Sequence, residues 1–301
     1  MQDTSGAGAR ATISLTLAAL FWSGNFIAGR ALGGSVPPLE LNVIRWLICL
    51  ALLLPFTLPA LVRHRAVIRR DLRLILLLGL TGIAGFHTLV YQALRLTPAV
   101  NALLILSLAP VVTVVGGAIW NGFRPSAMQI AGLVVSAIGA LVILLFGSGG
   151  QDQLGRLDTG TLWMLAAIVV WAAYSLLLRR RPPDLPQDVT LAASIIAGLA
   201  MMVPFWLLFG VQRFEPTFGV VAAILYIGIF ASLLGFLFWS WGLARIGPER
   251  AGQFIHLMPV FGAVLAVVLL GERLLPAHGL GAALAVCGIV LVNRRPTPKS
   301  G

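Results

Sequence analysis

The sequence predicts an all-α integral membrane protein with ten transmembrane helices, arranged as two inverted five-helix repeats. Three observations lead to this fold class: long apolar blocks, one linker-like break near the middle, and matched positions in the two halves. Of the 301 residues, 59% are hydrophobic and only 10% are charged, which is too little charge to cover a soluble domain of this length. An apolar block of about 20 residues is long enough to cross a bilayer as a helix.

Ten apolar blocks meet this length, and each is predicted to be one span. The first five lie near 11–31, 38–62, 73–95, 98–120 and 125–147. The second five lie near 160–179, 188–211, 218–244, 248–271 and 276–293. The linker-like stretch between the two sets runs from 147 to 160 and contains Gly-Ser-Gly-Gly-Gln-Asp-Gln. We therefore expect one integral membrane domain made of two halves, 11–147 and 160–294.

The positions of arginine and lysine predict the orientation, because positively charged loops stay in the cytoplasm. With the N-terminus inside, 15 basic residues fall on the cytoplasmic side and 5 on the other. We thus expect a multi-pass protein of the cell inner (cytoplasmic) membrane with both termini in the cytoplasm. The net charge of +11 does not indicate a nucleic-acid partner, since the basic residues are spread over short loops instead of one soluble face.

Arg45 is the one arginine placed well inside a predicted span. It could attract a carboxylate substrate, or its long side chain could snorkel outward toward the level of Glu40. Snorkelling is the reading that we favour from the sequence.

The two halves resemble each other at an offset of 149 to 150 residues. The matched positions are Trp22 with Trp171, Pro55-Phe56 with Pro204-Phe205, Gly85-Phe86 with Gly235-Phe236, Pro98 with Pro248, Pro110-Val111 with Pro259-Val260, and Gly132 and Gly139 with Gly281 and Gly288. A collinear series of this kind indicates an internal duplication. Because each half holds an odd number of spans, the second copy must enter the membrane from the opposite side. Inverted repeats are typical of secondary transporters whose substrate site lies near the membrane midplane.

Three segments carry a resemblance to a known family: AALFWSGNFIAGRAL, LRLTPAVNALLILSLAPVVTVV and ARIGPERAGQFIHLMPVFGAVLAVVLLGERL. They resemble the EamA-type drug/metabolite transporters, and most closely the YddG-type exporters of aromatic amino acids and metabolites. The resemblance implies an exporter or facilitator of amino acids or similar small amphiphilic metabolites, working by alternating access around a central cavity. The family usually ends its fourth and ninth spans with Gly-Glu, but here only Gly271-Glu272 keeps that pair and Asn121-Gly122 stands in the first half.

Polar and aromatic side chains at membrane depth are the candidate substrate ligands, because each needs a partner, a cavity or an interface. The predicted substrate-binding residues are Trp22, Asn25, His87, Tyr91, Asn101, Trp171, Tyr174, Trp239 and His256. The matched pairs in spans 1 and 6 (Trp22 with Asn25, Trp171 with Tyr174) would form an aromatic box if they face inward. Aromatic core packing is the alternative for the box. For Asn101, capping or interface solvation is the alternative.

His87 and Tyr91 lie one helical turn apart in span 3, and the second half offers no equivalent pair. They could bind an asymmetric ligand, or they could lock span 3 to a neighbouring helix. Both interpretations stay open at this point.

Pro110 and Pro259 fall near the middle of spans 4 and 9, and an interior proline interrupts helical hydrogen bonding. Paired interruptions in two repeats point to the binding site, so these prolines are predicted to act in hinging or gating. Small residues at helical spacing (Gly132 and Ser136, Gly281 and Ala285) predict that spans 5 and 10 pack against each other or against a second subunit.

The ten acidic residues all fall at span ends, in loops or in tails. Ion-coupled carriers usually keep a carboxylate inside the membrane, so we expect facilitated diffusion, or coupling through His87 or His256. No catalytic residues, metal site or cofactor are expected. A nucleotide-sugar or drug-type carrier of the same fold, a channel and an intramembrane enzyme are the alternative functions. The expected partners are a small-molecule substrate and the lipid bilayer, and the oligomeric state stays open, with a monomer compatible with the sequence.

Overall fold

The computed structural model describes residues 4–121, 126–146, 159–209, 214–246 and 251–293. Every regular element in these ranges is helical, which confirms the all-α prediction. Spans 1 to 5 comprise Thr4–Leu32, Pro38–Arg63, Leu72–Leu96, Ala99–Leu106 with Ala109–Asn121, and Ala127–Phe146. Spans 6 to 10 comprise Thr159–Leu178, Gln187–Phe209, Phe218–Ile246, Gly252–His256 with Leu257–Leu270, and Pro276–Asn293.

Within the described residues, seven helices are long and apolar enough to cross a membrane, and they belong to spans 1 to 4 and 6 to 8. Two shorter apolar helices, Ala127–Gly139 and Phe254–Leu270, belong to spans 5 and 9. A short helix, Arg65–Arg70, connects spans 2 and 3. This connection carries a cluster of arginines, and we call its end of the bundle the arginine-rich end. The cluster is Arg63, Arg65, Arg69, Arg70 and Arg73.

Spans 3 and 8 contain matched π-helical segments, Gly79–Gly85 and Ile227–Leu234, which the sequence analysis did not predict. The wider turn of a π-helix leaves backbone carbonyls without their usual α-helical partners. In span 3, Asn42 Nδ2 donates to the carbonyls of Ile83 at 2.9 Å and Ala84 at 3.2 Å. A side chain from span 2 therefore stabilises this π segment.

The second π segment is stabilised in a similar way from span 1. Trp22 Nε1 donates a hydrogen bond to the carbonyl of Ala231 at 3.1 Å. Trp22 is a predicted substrate-binding residue, and its indole N–H is thus already bonded to the protein backbone.

Spans 4 and 9 are both interrupted just before their matched prolines. In span 4, Ser107 and Leu108 form a tight turn, with their N–H groups bonded to the carbonyls three residues earlier. Span 9 begins as a 3₁₀-helix and becomes α-helical at Leu257. Pro110 and Pro259 then lie near the start of an α-helical segment, where a missing N–H costs nothing. The predicted interruption is present in both halves, on the N-terminal side of each proline.

The halves interlock, because span 1 packs against span 8 and span 6 packs against span 3. Gly24 has no room for a Cβ atom, which would overlap the Tyr226 hydroxyl group. Gly82 is similarly covered by the ring of Tyr174. Since span 6 is the repeat of span 1 and span 8 the repeat of span 3, the two contacts are related by the internal duplication.

Spans 5 and 10 pack face to face along their small residues. A Cβ atom added to Gly139 would lie 2.7 Å from the Gly281 carbonyl oxygen. Ser136 Oγ donates to the carbonyl of Ala285 at 3.2 Å. The close approach expected from these small residues therefore occurs within the chain.

Candidate functional site

A buried arginine lies where the two halves meet. Arg45 of span 2 is only 1% exposed, and its Nε donates to Ser232 Oγ at 2.8 Å. Its Nη1 donates to Asn25 Oδ1 at 3.2 Å and to the Tyr91 hydroxyl at 2.5 Å. The expectation that Arg45 snorkels outward is therefore wrong. The side chain turns into the bundle because three neutral oxygens accept its N–H groups there.

The groups around Arg45 are also bonded to one another. The Tyr91 hydroxyl donates to Asn25 Oδ1 at 2.7 Å, and Ser232 Oγ donates to the Ile227 carbonyl at 2.8 Å, within the second π segment. Spans 1, 2 and 3 of the first half are thereby joined to span 8 of the second half. We call Asn25, Arg45, Tyr91 and Ser232 the arginine cluster.

Aromatic rings form a continuous series beside the arginine cluster, with neighbouring ring centroids 4.7 to 6.2 Å apart. In order, the series is Trp239, Trp22, Phe236, Trp46, His87, Phe86, Trp171 and Tyr174. The guanidinium carbon of Arg45 lies 5.0 Å from the Trp46 ring centroid, which places the charge against this series. Aromatic faces and polar groups therefore share one region between the halves.

This series changes the predicted aromatic box. The tryptophans of spans 1 and 6 do not stack on each other but are linked through four intervening rings. Two of these, Phe86 and Phe236, are a repeat-matched pair, and each packs against the matched tryptophan of the opposite half. The match of Gly85-Phe86 with Gly235-Phe236 in the sequence could have indicated these two phenylalanines. Asn25, assigned to the box, belongs to the arginine cluster instead.

His87 is buried, and its Nδ1 lies 3.2 Å from the Gly82 carbonyl of its own span. Its ring packs edge-on against Phe86 and Trp46. Tyr91, by contrast, reaches spans 1 and 2 through hydrogen bonds. Among the described residues, the tyrosine and not the histidine of this predicted pair joins span 3 to its neighbours through side-chain hydrogen bonds.

Asn101 lies in a separate group at the opposite end of the bundle from the arginine-rich end. Its Oδ1 is 2.9 Å from His278 Nε2, and His278 Nδ1 accepts from the N–H of Leu275. Close by, the carboxylate of Glu272 accepts from the N–H groups of Ala99 and Val100 at 2.8 and 3.1 Å. These contacts place Asn101 in a helix-end arrangement outside the arginine cluster.

The carboxylate of Glu272, in the Gly271-Glu272 pair, thus has a structural role that the sequence did not show. A carboxylate at a helix N-terminus binds unsatisfied N–H groups and favours the positive end of the helix dipole. Glu272 of the second half caps the first turn of span 4 in the first half. The first-half equivalent, Asn121-Gly122, lies partly outside the described residues.

His256 is half-buried and lines a mainly apolar groove of about 340 Å³ between spans 4, 9 and 10. Pro259, Ser107 and His278 line the same groove. The structure therefore places His256 beside the paired interruptions and not among the hydrogen-bond partners of Arg45.

The chain is similar to known membrane transporters along both halves. Residues 9–145 and 158–294 each match the model of the EamA-like transporter family. The chain is 32% identical over 230 residues to a probable terminal-alkyne amino-acid exporter of Streptantibioticus cattleyicolor, covering 75% of this chain and 74% of that protein. It is 27% identical over 287 residues to a probable amino-acid metabolite efflux pump of Salmonella typhimurium, covering 91% and 92%. A solved crystal structure, 26% identical, matches with a TM-score of 0.66 over 94% of this chain and 96% of that one.

Proposed function

The chain belongs to the EamA-like transporter family, and we propose that it exports amino acids or similar small amphiphilic metabolites by alternating access around a central cavity. Two relatives that carry amino-acid names, in Streptantibioticus cattleyicolor and Salmonella typhimurium, support this substrate class. The observation that carries the proposal is the arginine cluster with its adjoining aromatic rings at the junction of the halves.

The chemistry of this region suits an amphiphilic ligand. Guanidinium, amide and hydroxyl groups can orient a polar head, and aromatic faces can hold an apolar or cationic part. Both halves supply side chains to the region, so a tilt of one half against the other would expose a bound molecule to one side at a time. Trp22, Asn25, His87, Tyr91, Trp171, Tyr174 and Trp239 are the predicted residues that lie in it.

We propose transport down the substrate gradient without a coupled ion. Within the described residues, the acidic side chains lie at span ends or in connections; they are Glu40, Asp71, Asp184, Asp188, Glu215 and Glu272. A coupling carboxylate would be expected deeper in a span. Coupling through His87 or His256 is the alternative.

The remaining assignments follow from the charge distribution and the family. We propose that the protein lies in the cell inner membrane with both termini and the arginine-rich end in the cytoplasm. We also propose that it has no enzymatic activity. Its partners would be the small-molecule substrate and the bilayer, without nucleic acid.

Reconstituted transport tests the function. Purified protein in liposomes should show saturable counterflow with a subset of amino acids. Net substrate flux down its gradient should persist when an uncoupler collapses the proton gradient, and concentrative uptake that vanishes with the uncoupler would contradict uncoupled transport. Alanine at Trp22, His87 or Trp171 should change the preference among amino acids, because each variant removes a ring from the aromatic series. Counterflow with nucleotide-sugars only, or unchanged preference in all three folded variants, would contradict the proposal.

A further inference from the structure

We propose that Arg45 is the anchor for a carboxylate of the transported molecule, and that this carboxylate, more than any ammonium group, is what a ligand must carry. The inference rests on the proposed function and narrows its substrate class.

The charge of Arg45 is not balanced by its hydrogen-bond partners. Arg45 is buried, and the described groups that accept from it, Asn25, Tyr91 and Ser232, are all neutral. The ion pairs between described residues are Arg30–Glu272, Arg70–Asp71 and Arg70–Asp184, and none includes Arg45. A buried cation in the membrane is costly unless an opposite charge compensates it. An anionic ligand would supply that charge.

The guanidinium group of Arg45 also has N–H donors that its described partners leave unused. A guanidinium group offers five N–H donors, and the hydrogen bonds of Arg45 to described residues use only Nε and Nη1. The next residue, Trp46, is fully buried, and its indole N–H has no acceptor among the described residues. Two neighbouring side chains of span 2 thus hold donors in one region from which no described residue accepts. A buried donor without a partner is unfavourable, so a ligand that accepts from it gains binding energy.

A carboxylate matches the geometry of a guanidinium group. Two oxygens in one plane can accept parallel hydrogen bonds from a guanidinium fork, and such charge-assisted bonds are stronger than neutral ones. An ammonium group finds a less favourable setting, because the guanidinium beside it repels it. Rings such as Trp46 offer only a weaker cation–π contact.

Two ring-matched probes test this on the unmodified protein. Phenylpropionate carries only the carboxylate of phenylalanine, and phenethylamine carries only the ammonium group. We expect phenylpropionate to raise the melting temperature of the detergent-solubilised protein and to inhibit counterflow. Phenethylamine should need at least about tenfold higher concentration for the same effect, the scale of one lost charge-assisted bond. Equal potency of the two probes, or equal stabilisation by equimolar chloride, would overturn the proposal.

Substitution locates the effect at Arg45. Arg45→Gln should remove the advantage of phenylpropionate, whereas Arg45→Lys should keep a reduced one, because a lysine retains the charge without the fork. Arg95→Gln makes the same change in charge at an exposed side chain and should behave like the wild type. Retention of the full advantage in Arg45→Gln would exclude the anchor. If Arg45→Gln does not fold, the relative potency of the two probes on the wild type still tests whether the site prefers a carboxylate.

Amino-acid export and the carboxylate anchor can be contradicted independently of each other. If no amino acid gives counterflow but phenylpropionate still stabilises the wild type through Arg45, the amino-acid export function falls and the carboxylate anchor stands. If amino acids are exported while phenethylamine competes as well as phenylpropionate, the function stands and the anchor falls.

Discussion

The Tyr91 hydroxyl group forms hydrogen bonds with two buried partners at once. It accepts from Arg45 Nη1 and donates to Asn25 Oδ1, so its two neighbours both depend on it. A hydrogen bond to a charged group contributes about 1.5–3 kcal/mol, and a buried group left without its partner loses a similar amount. The direction of Arg45 follows from such contacts, and its partner Ser232 lies in the other half of the chain. The sequence shows an arginine within a span, but it does not show which oxygens will accept from it.

Replacing Tyr91 by phenylalanine tests this dependence. The ring stays, but Arg45 loses its shortest acceptor and Asn25 loses a donor. We expect a loss of about 1–3 kcal/mol in stability, visible as a lower melting temperature in detergent. Tyr174→Phe is the matched control, because that buried tyrosine packs on Trp171 and takes no part in the arginine cluster. Equal losses in the two variants would show that the bridging hydroxyl is not a special contact.

At the scale of single helices, the sequence predicts those features that depend on the residues of the helix itself. Hydropathy and length place the spans, because a helix of about 20 apolar residues is what a bilayer requires. The π segments in spans 3 and 8 were not predictable in this way. Their widened turns are stabilised by Asn42 and Trp22, which come from other spans, so the local sequence does not contain the cause. The interruptions in spans 4 and 9 were predictable, since proline marks them within the same segment.

Asn42→Ala tests whether a side chain from span 2 stabilises the first π segment. The buried carbonyl of Ile83 and the partly buried carbonyl of Ala84 would lose this donor. We expect a loss of about 1–3 kcal/mol in stability and faster hydrogen exchange in span 3. Thr81→Val is the control, because the Thr81 hydroxyl donates to the Leu77 carbonyl of its own span and bonds to no other described residue. Unchanged exchange in Asn42→Ala would mean that the π segment persists without its side-chain partner.

At the scale of the whole molecule, contacts between the halves occur at both ends of the bundle. At the arginine-rich end, Arg70 of the first half lies 3.3 Å from each carboxylate oxygen of Asp184 in the second half. At the opposite end, Glu272 of the second half caps span 4 of the first. Repeat matching predicts that the halves share a core, because it implies two copies of one unit. It does not predict which loop residues meet, since Asp184 and Glu272 have no matching partners in the other repeat.

In the alternating access that we propose, the arginine-rich end would open during each cycle, and the Arg70–Asp184 contact between the halves would then break. Hydrogen bonds to Asp184 and then Asp71 raise the pKa of Arg70. Its guanidinium is charged whether or not the pair is formed. The pair is exposed, so water weakens it and added salt weakens it further. If opening of this end limits the rate, Asp184→Asn should raise the counterflow rate by no more than about fivefold.

The Arg70–Asp184 contact also predicts how the counterflow rate depends on salt. Counterflow by the wild type should become faster as ionic strength rises, whereas Asp184→Asn should respond much less because its charge is already absent. Asp188→Asn provides the control, since it removes an exposed carboxylate nearby that forms no ion pair with a described residue. Equal salt responses in the wild type and both variants would place the rate-limiting step elsewhere.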